Sequence, residues 1–76
     1  MDHEKANQAV QLLGGQAAAC RLLRNKKGKG YLHIANLRRE LARPVIAEWV
    51  VVQLKPALEA HAAEYAAACQ QWLADN

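Results

Sequence analysis

The sequence predicts an all-α fold, a small bundle of four to five helices that contains a helix-turn-helix and ends in a long C-terminal helix. Three observations predict it. Ala, Leu, Gln, Glu and Arg dominate the 76 residues, and all of them favour helix. Only Tyr31, Trp49, Tyr65 and Trp72 are aromatic, too few for an ordinary strand-built fold. Apolar residues also recur at spacings of three and four along most of the chain. The length allows one domain. A domain of this size buries only about 60% of its unfolded surface, and much of the apolar content here is alanine. Close helix packing or a second copy is therefore expected to complete the core.

Residues 4–13 read as the first helix, with Ala6, Ala9, Val10, Leu12 and Leu13 as its apolar stripe. Gly14 and Gly15 end it, because glycine reaches the left-handed backbone that a helix C-terminus needs. Residues 16–24 read as a second, short helix with Ala19, Cys20, Leu22 and Leu23 facing inward. Two glycines and three lysines between Asn25 and Gly30 then predict a mobile loop. Residues 31–41 read as a third helix whose buried face is Ile34, Leu37 and Leu41. Pro44 interrupts the chain and suits the first turn of the next element. Residues 45–54 are almost wholly apolar. Their Val50-Val51-Val52 run allows a strand, but the helix formers on both sides favour a buried helix. Pro56 permits a kink or a restart. Residues 57–74 then read as one helix, with Leu58, Ala62, Tyr65, Cys69 and Trp72 spaced four, three, four and three. Such a heptad-like seam covers either the domain's own core or a dimer partner.

Charge is unevenly placed. Arg21, Arg24, Lys26, Lys27, Lys29, Arg38, Arg39 and Arg43 fall between residues 21 and 43, against the single acid Glu40. Elsewhere Lys5 and Lys55 face six acids, so the net charge of +3 conceals a strongly basic centre. A local positive field of this kind suits nucleic-acid phosphates.

Catalysis is not expected. The chain has no Ser or Thr, which removes the usual hydroxyl nucleophiles. His3, His33 and His61 lack metal-site spacing. Cys20 and Cys69 form no Cys-x-x-Cys pair and read as small buried apolar residues. Gly28-Lys29-Gly30 lacks the frame of a phosphate loop. No cofactor, metal or small-molecule substrate is therefore expected. No signal peptide or membrane span is read either, and a cytoplasmic location with reduced thiols is the expectation.

The run from Leu12-Leu13-Gly14-Gly15-Gln16-Ala17-Ala18-Ala19-Cys20-Arg21 to Leu22-Leu23 resembles the DNA-binding motif of phage Cro-, CII- and YdaS-type repressors. Those proteins often carry Leu-Gly-Gly-Gln-x-Ala-Leu-Ala-Arg-x-Leu there. His33-Ile34-Ala35-Asn36-Leu37-Arg38-Arg39 looks like their recognition helix. Arg43-Pro44-Val45-Ile46-Ala47-Glu48-Trp49-Val50-Val51 resembles the helix that comes after it. The likeness covers residues 7–55. It departs from the family between Arg24 and Lys29, where the turn is about four residues longer and Arg24 replaces the usual glycine.

The resemblance implies a helix-turn-helix core over residues 1–56, with residues 57–76 as a helix for packing or dimerisation within one domain. It implies a transcriptional regulator that binds double-stranded DNA as a homodimer. Gln16, Arg21, Arg24, Lys26, Lys27, Lys29 and Arg38 would hold phosphates, while Tyr31, His33, Asn36 and Arg39 would read bases. By residue type, Asn36 points to adenine and Arg39 to guanine. Leu58, Ala62, Tyr65, Cys69 and Trp72 would form the dimer contact. A second register makes 34–41 the bracing helix, 45–54 the reader and 31–33 a short strand, but 45–54 is too apolar to face base edges. The rival function is a non-enzymatic protein-binding module, a phage-type inhibitor or adaptor. It would dock an acidic partner through the basic loop and the C-terminal helix.

Overall fold

The computed structural model describes residues 1–61 and 66–75. The described chain is all-helical: α1 (His3–Leu12), α2 (Gln16–Leu22), α3 (Ile34–Leu41), α4 (Glu48–His61) and α5 (Ala66–Asp75). Two isolated antiparallel bridges, Asp2 with Val45 and Arg24 with Tyr31, are the extended pairings among the described residues.

α1 is framed by its ends. Asp2 caps it, its carboxylate accepting from the Lys5 amide at 2.9 Å. At the other end the Gly14 amide donates to the Gln11 carbonyl and the Gly15 amide to the Val10 carbonyl, both at 3.0 Å. This is the Schellman arrangement. It requires the positive φ of 106° at Gly14, and Gly15, the N-cap of α2, also sits at a positive φ of 100°, so the helix stops at the glycine pair as its sequence predicts.

α2 ends at Leu22, two residues earlier than expected. Leu23 has left the helix for an extended conformation and is buried, whereas Leu22 is turned outward and half exposed. α3 begins at Ile34 rather than at residue 31, because Tyr31 pairs with Arg24 and His33 acts as the N-cap. α4 begins at Glu48 rather than at residue 45. Val45 pairs with Asp2, and the Ile46 amide donates to the Met1 carbonyl at 2.9 Å. Val45 is therefore exposed, while Ile46 enters the core. The valine run is helical: Val50 is buried, Val51 half-buried and Val52 exposed. A strand would have put Val50 and Val52 on the same face.

α4 continues through Pro56 to His61, so the expected division at residues 56 and 57 falls inside a helix. The single helix expected over 57–74 is instead shared between α4 and α5, which pack against each other and against α1. The Trp72 indole Nε1 donates to the Lys5 carbonyl at 3.0 Å, tying α5 to α1. Leu58, Cys69 and Trp72 join Ala6, Ala9, Val10, Leu37 and Leu54 in one core cluster. These three seam residues thus line the inside of this chain and are not free to contact a second copy. Ala62 and Tyr65, the other two seam positions, lie outside the described residues.

Candidate nucleic-acid interface

α2 and α3 pack together, and the segment that joins them forms a tied hairpin. The Leu32 amide donates to the Leu23 carbonyl at 2.9 Å, and the Asn25 amide to the Gly30 carbonyl at 2.8 Å. Beyond the second rung the chain reverses over Lys26, Lys27, Gly28 and Lys29. The Asn25 side-chain Oδ1 accepts from the amides of Lys27 at 3.0 Å and Lys29 at 3.3 Å, and Gly28 supplies the φ of 73° that closes the turn. The expected slack loop is thus held from within, and it presents Lys26, Lys27 and Lys29 outward.

A second tie comes from α4. The Gln53 side chain accepts from the Arg24 amide at 2.6 Å and donates to the Arg24 carbonyl at 3.1 Å. It also donates to the Trp49 carbonyl, four residues back in its own helix, at 2.9 Å. Gln53 therefore completes the hydrogen bonding of the hairpin's first residue. The Arg24 guanidinium lies 4.4 Å from the Tyr31 ring centroid, a cation–π contact that spans the hairpin base.

α3 follows directly from the hairpin. At 3.6 residues per turn, Leu37 and Leu41 fall on the inner side and are buried. Ala35, Asn36, Arg38, Arg39, Ala42 and Arg43 share the outer side and are exposed. Two alanines lie near the centre of that face, with cations and an amide around them. Arg38 Nε donates to Gln16 Oε1 at 3.1 Å, which links α3 to the start of α2. Arg39 Nη2 donates to Asn36 Oδ1. His33 Nδ1 accepts from the Ala35 amide at 3.2 Å.

Glu40, the acid of the basic segment, is withdrawn: the residue is 8% exposed. Arg43 Nε sits 3.4 Å from its Oε1, an ionic contact that does not make a hydrogen bond. Between residues 21 and 43 the cations therefore face solvent while the lone carboxylate does not. Close by, burial pushes the Cys20 thiol up and the Arg38 charge partly offsets that shift.

Of the residues expected at the interface, Arg21, Arg24, Lys26, Lys27, Lys29, Tyr31, His33, Asn36, Arg38 and Arg39 are exposed and Gln16 is half-buried. Direct contacts join Arg24 with Tyr31, Arg38 with Gln16, and Arg39 with Asn36. Sequence reasoning missed Asn25, Gln53 and the Glu40–Arg43 pair. An asparagine opening a Lys-Gly loop is a recognisable turn former, but nothing in the sequence links Gln53 to a loop 29 residues away.

A groove of about 720 Å3 runs between α1 and α5, lined by Gln8, Gln11, Leu12, Gln71 and Trp72 among others. It shares no residue with the basic face. Among the described residues no cluster of three or more His, Cys, Asp or Glu side chains could hold a metal ion, and no helix is long and apolar enough to cross a membrane. No protein family, no curated protein and no solved structure matches this chain.

Proposed function

We propose that this chain is a DNA-binding regulator of the phage-repressor kind, with α3 in the major groove and the 24–31 hairpin on flanking phosphates. The outer face of α3 carries the proposal: Asn36, Arg38, Arg39 and Arg43 surround two alanines, and no carboxylate is exposed among them. Eight helical residues span about 12 Å, close to the width of the major groove. The alanines let the backbone approach the groove floor, and the longer side chains around them reach base edges and phosphates. The tied hairpin adds three exposed lysines as sequence-blind affinity. The alternative register gains little from α4, where Lys55 is exposed together with Glu48, Val52 and Glu59, and two acids and a valine do not suit base edges or phosphates.

A salt titration of the chain on mixed-sequence duplex DNA tests the proposal. Log affinity should fall linearly with log salt as bound counterions are released. Absence of binding at about 50 mM salt, where phosphate contacts are strong, overturns it. The same cations could dock an acidic protein instead. That rival has lost part of its contact surface, because Cys69 and Trp72 belong to the core. Dimerisation, if it occurs, needs a face other than Leu58, Cys69 and Trp72, so the minimal unit proposed is one module on one half-site.

A further inference from the structure

We infer that the centre of the α3 face packs on the 5-methyl group of a pyrimidine, through the Ala35 and Ala42 side chains. This rests on the DNA-binding proposal above and names the group on the DNA that its reading helix takes.

Ala35 and Ala42 are seven residues apart and both are exposed. Ala42, the C-cap, keeps helical backbone angles. At about 100° per residue the two methyl groups therefore lie within about 20° of one line along α3. Leu37, Glu40 and Leu41 are buried on the opposite side. Arg38 falls about 60° to one side of Ala35, and Arg39 about 40° to the other, with Asn36 beyond it at about 100°.

Each arginine is drawn away from the alanine line. Arg38 Nε donates to Gln16 Oε1 at 3.1 Å, and Gln16 belongs to α2, the helix against which α3 packs. Arg39 Nη2 donates to Asn36 Oδ1, further round in the direction that leaves the line. The two methyl groups are thus bare at the centre, and a cation is held on either flank.

The major groove is layered in the same way. Its walls are the phosphate strands and its floor is the base edges. Every base pair offers hydrogen-bonding groups on that floor, but the C5 methyl is the apolar projection, carried by thymine and by cytosine once it is methylated at C5. Flanking cations suit the walls. Central alanines suit the floor, because a short side chain lets the helix come close and packs its own methyl on the one it meets. About 10 Å of helix separates Ala35 from Ala42, so the two contact different base pairs.

The test compares the full chain on three duplexes of one mixed sequence at one salt concentration. The first is unmodified. The second carries deoxyuridine for every thymine, which removes only the methyl group. The third is the second with 5-methylcytosine for every cytosine. Losing one methyl contact should weaken binding about 2- to 4-fold, so the uridine duplex should bind about 2- to 16-fold more weakly than the first. Recovery on the third duplex shows that a cytosine methyl serves as well, and no recovery assigns the reading to thymine. Equal binding to the first two overturns methyl reading while leaving DNA binding intact. Binding to none overturns the parent proposal as well. Ala35→Ser combined with Ala42→Ser puts a hydroxyl on each of these exposed methyl carbons. The ratio of thymine to uridine affinity should then fall towards one, and a ratio within one variant cancels any change in stability. An unchanged ratio overturns the role of the two alanines.

Discussion

Gln53 offers the sharpest test of how the basic face is held. It lies on α4, outside the α2–α3 unit, yet makes two hydrogen bonds to the Arg24 backbone, at 2.6 Å and 3.1 Å. Gln53→Leu keeps the approximate volume and removes both. Each bond contributes about 0.5–1.5 kcal/mol net, so the pair is worth about 1–3 kcal/mol. Arg24 is exposed, and water can replace part of the loss, which favours the lower half of that range. For a domain of this size 1 kcal/mol shifts the melting temperature by about 4–8 °C. A fall of about 4–16 °C is therefore expected in thermal unfolding. Hydrogen exchange gives the local readout. The Leu32 amide, which donates to the Leu23 carbonyl at the hairpin base, should exchange faster, while the Val10 amide in α1 should change only by the global loss. Gln53→Glu separates the two bonds. The carboxylate still accepts from the Arg24 amide, but it can no longer donate to the carbonyl. A Gln53→Leu variant with unchanged melting temperature and unchanged Leu32 exchange would refute the claim that α4 anchors the hairpin.

Changing Lys26, Lys27 and Lys29 together to Ala should lower the slope of log affinity against log salt by up to about 2.7, at roughly 0.9 for each phosphate no longer neutralised; an unchanged slope removes the hairpin from the interface. Glu40→Gln removes the carboxylate from beside Arg43, and the freed cation should steepen that slope by up to about 0.9 without loss of stability, as a melt beside the titration would check. Trp72→Phe keeps most of the buried ring but loses the bond to the Lys5 carbonyl, so a destabilisation of about 1–2 kcal/mol is expected in denaturant titration. A value near zero would separate that bond from α5 docking. Burial raises the Cys20 thiol pKa and Arg38 lowers it. Arg38→Ala should therefore push the pKa higher still and slow alkylation of Cys20 at neutral pH, and faster alkylation would contradict the assignment.

The helices were legible in the sequence wherever a local rule governs. The glycine pair ends α1 because only left-handed backbone completes its cap. Leu37 and Leu41 mark the inner side of α3 by spacing alone, while Ile34, expected with them, is only half-buried and stays outside the core cluster. The misreadings arose where distant segments compete with local preference. Tyr31 and Val45 carry helix-compatible neighbours, yet Tyr31 pairs with Arg24 across a hairpin and Val45 with Asp2 far along the chain. The seam from Leu58 to Trp72 has the right period for a helix, but period cannot distinguish one continuous helix from two that fold back on each other. A thin alanine-rich core settles that choice physically. With α5 docked on α1, Cys69 and Trp72 join Ala6, Ala9 and Val10 in one buried core, apolar area that this small domain could not leave open. At the candidate interface, residue type identified the charged side chains but not their partners, and the partners decide what the face can recognise.

Those partners also explain how a small domain can hold several cations in place without cancelling them. A carboxylate would orient an arginine strongly and neutralise it in the same act. Arg38 and Arg39 are oriented by amide oxygens, those of Gln16 and Asn36, which carry no net charge. Both guanidinium groups keep their full positive charge, and each is oriented by one such hydrogen bond. Ordering a long side chain on binding costs about 0.5–1.5 kcal/mol, so holding two of them beforehand lowers the free-energy cost of association. Arg43 is the contrast. Its Nε lies 3.4 Å from Glu40, the one carboxylate of the segment, while its side chain stays more than half exposed. Arg38 and Arg39 on α3 and Arg43 just past its C-cap Ala42 thus divide by partner: two lean on neutral amides, and the third lies beside a buried acid.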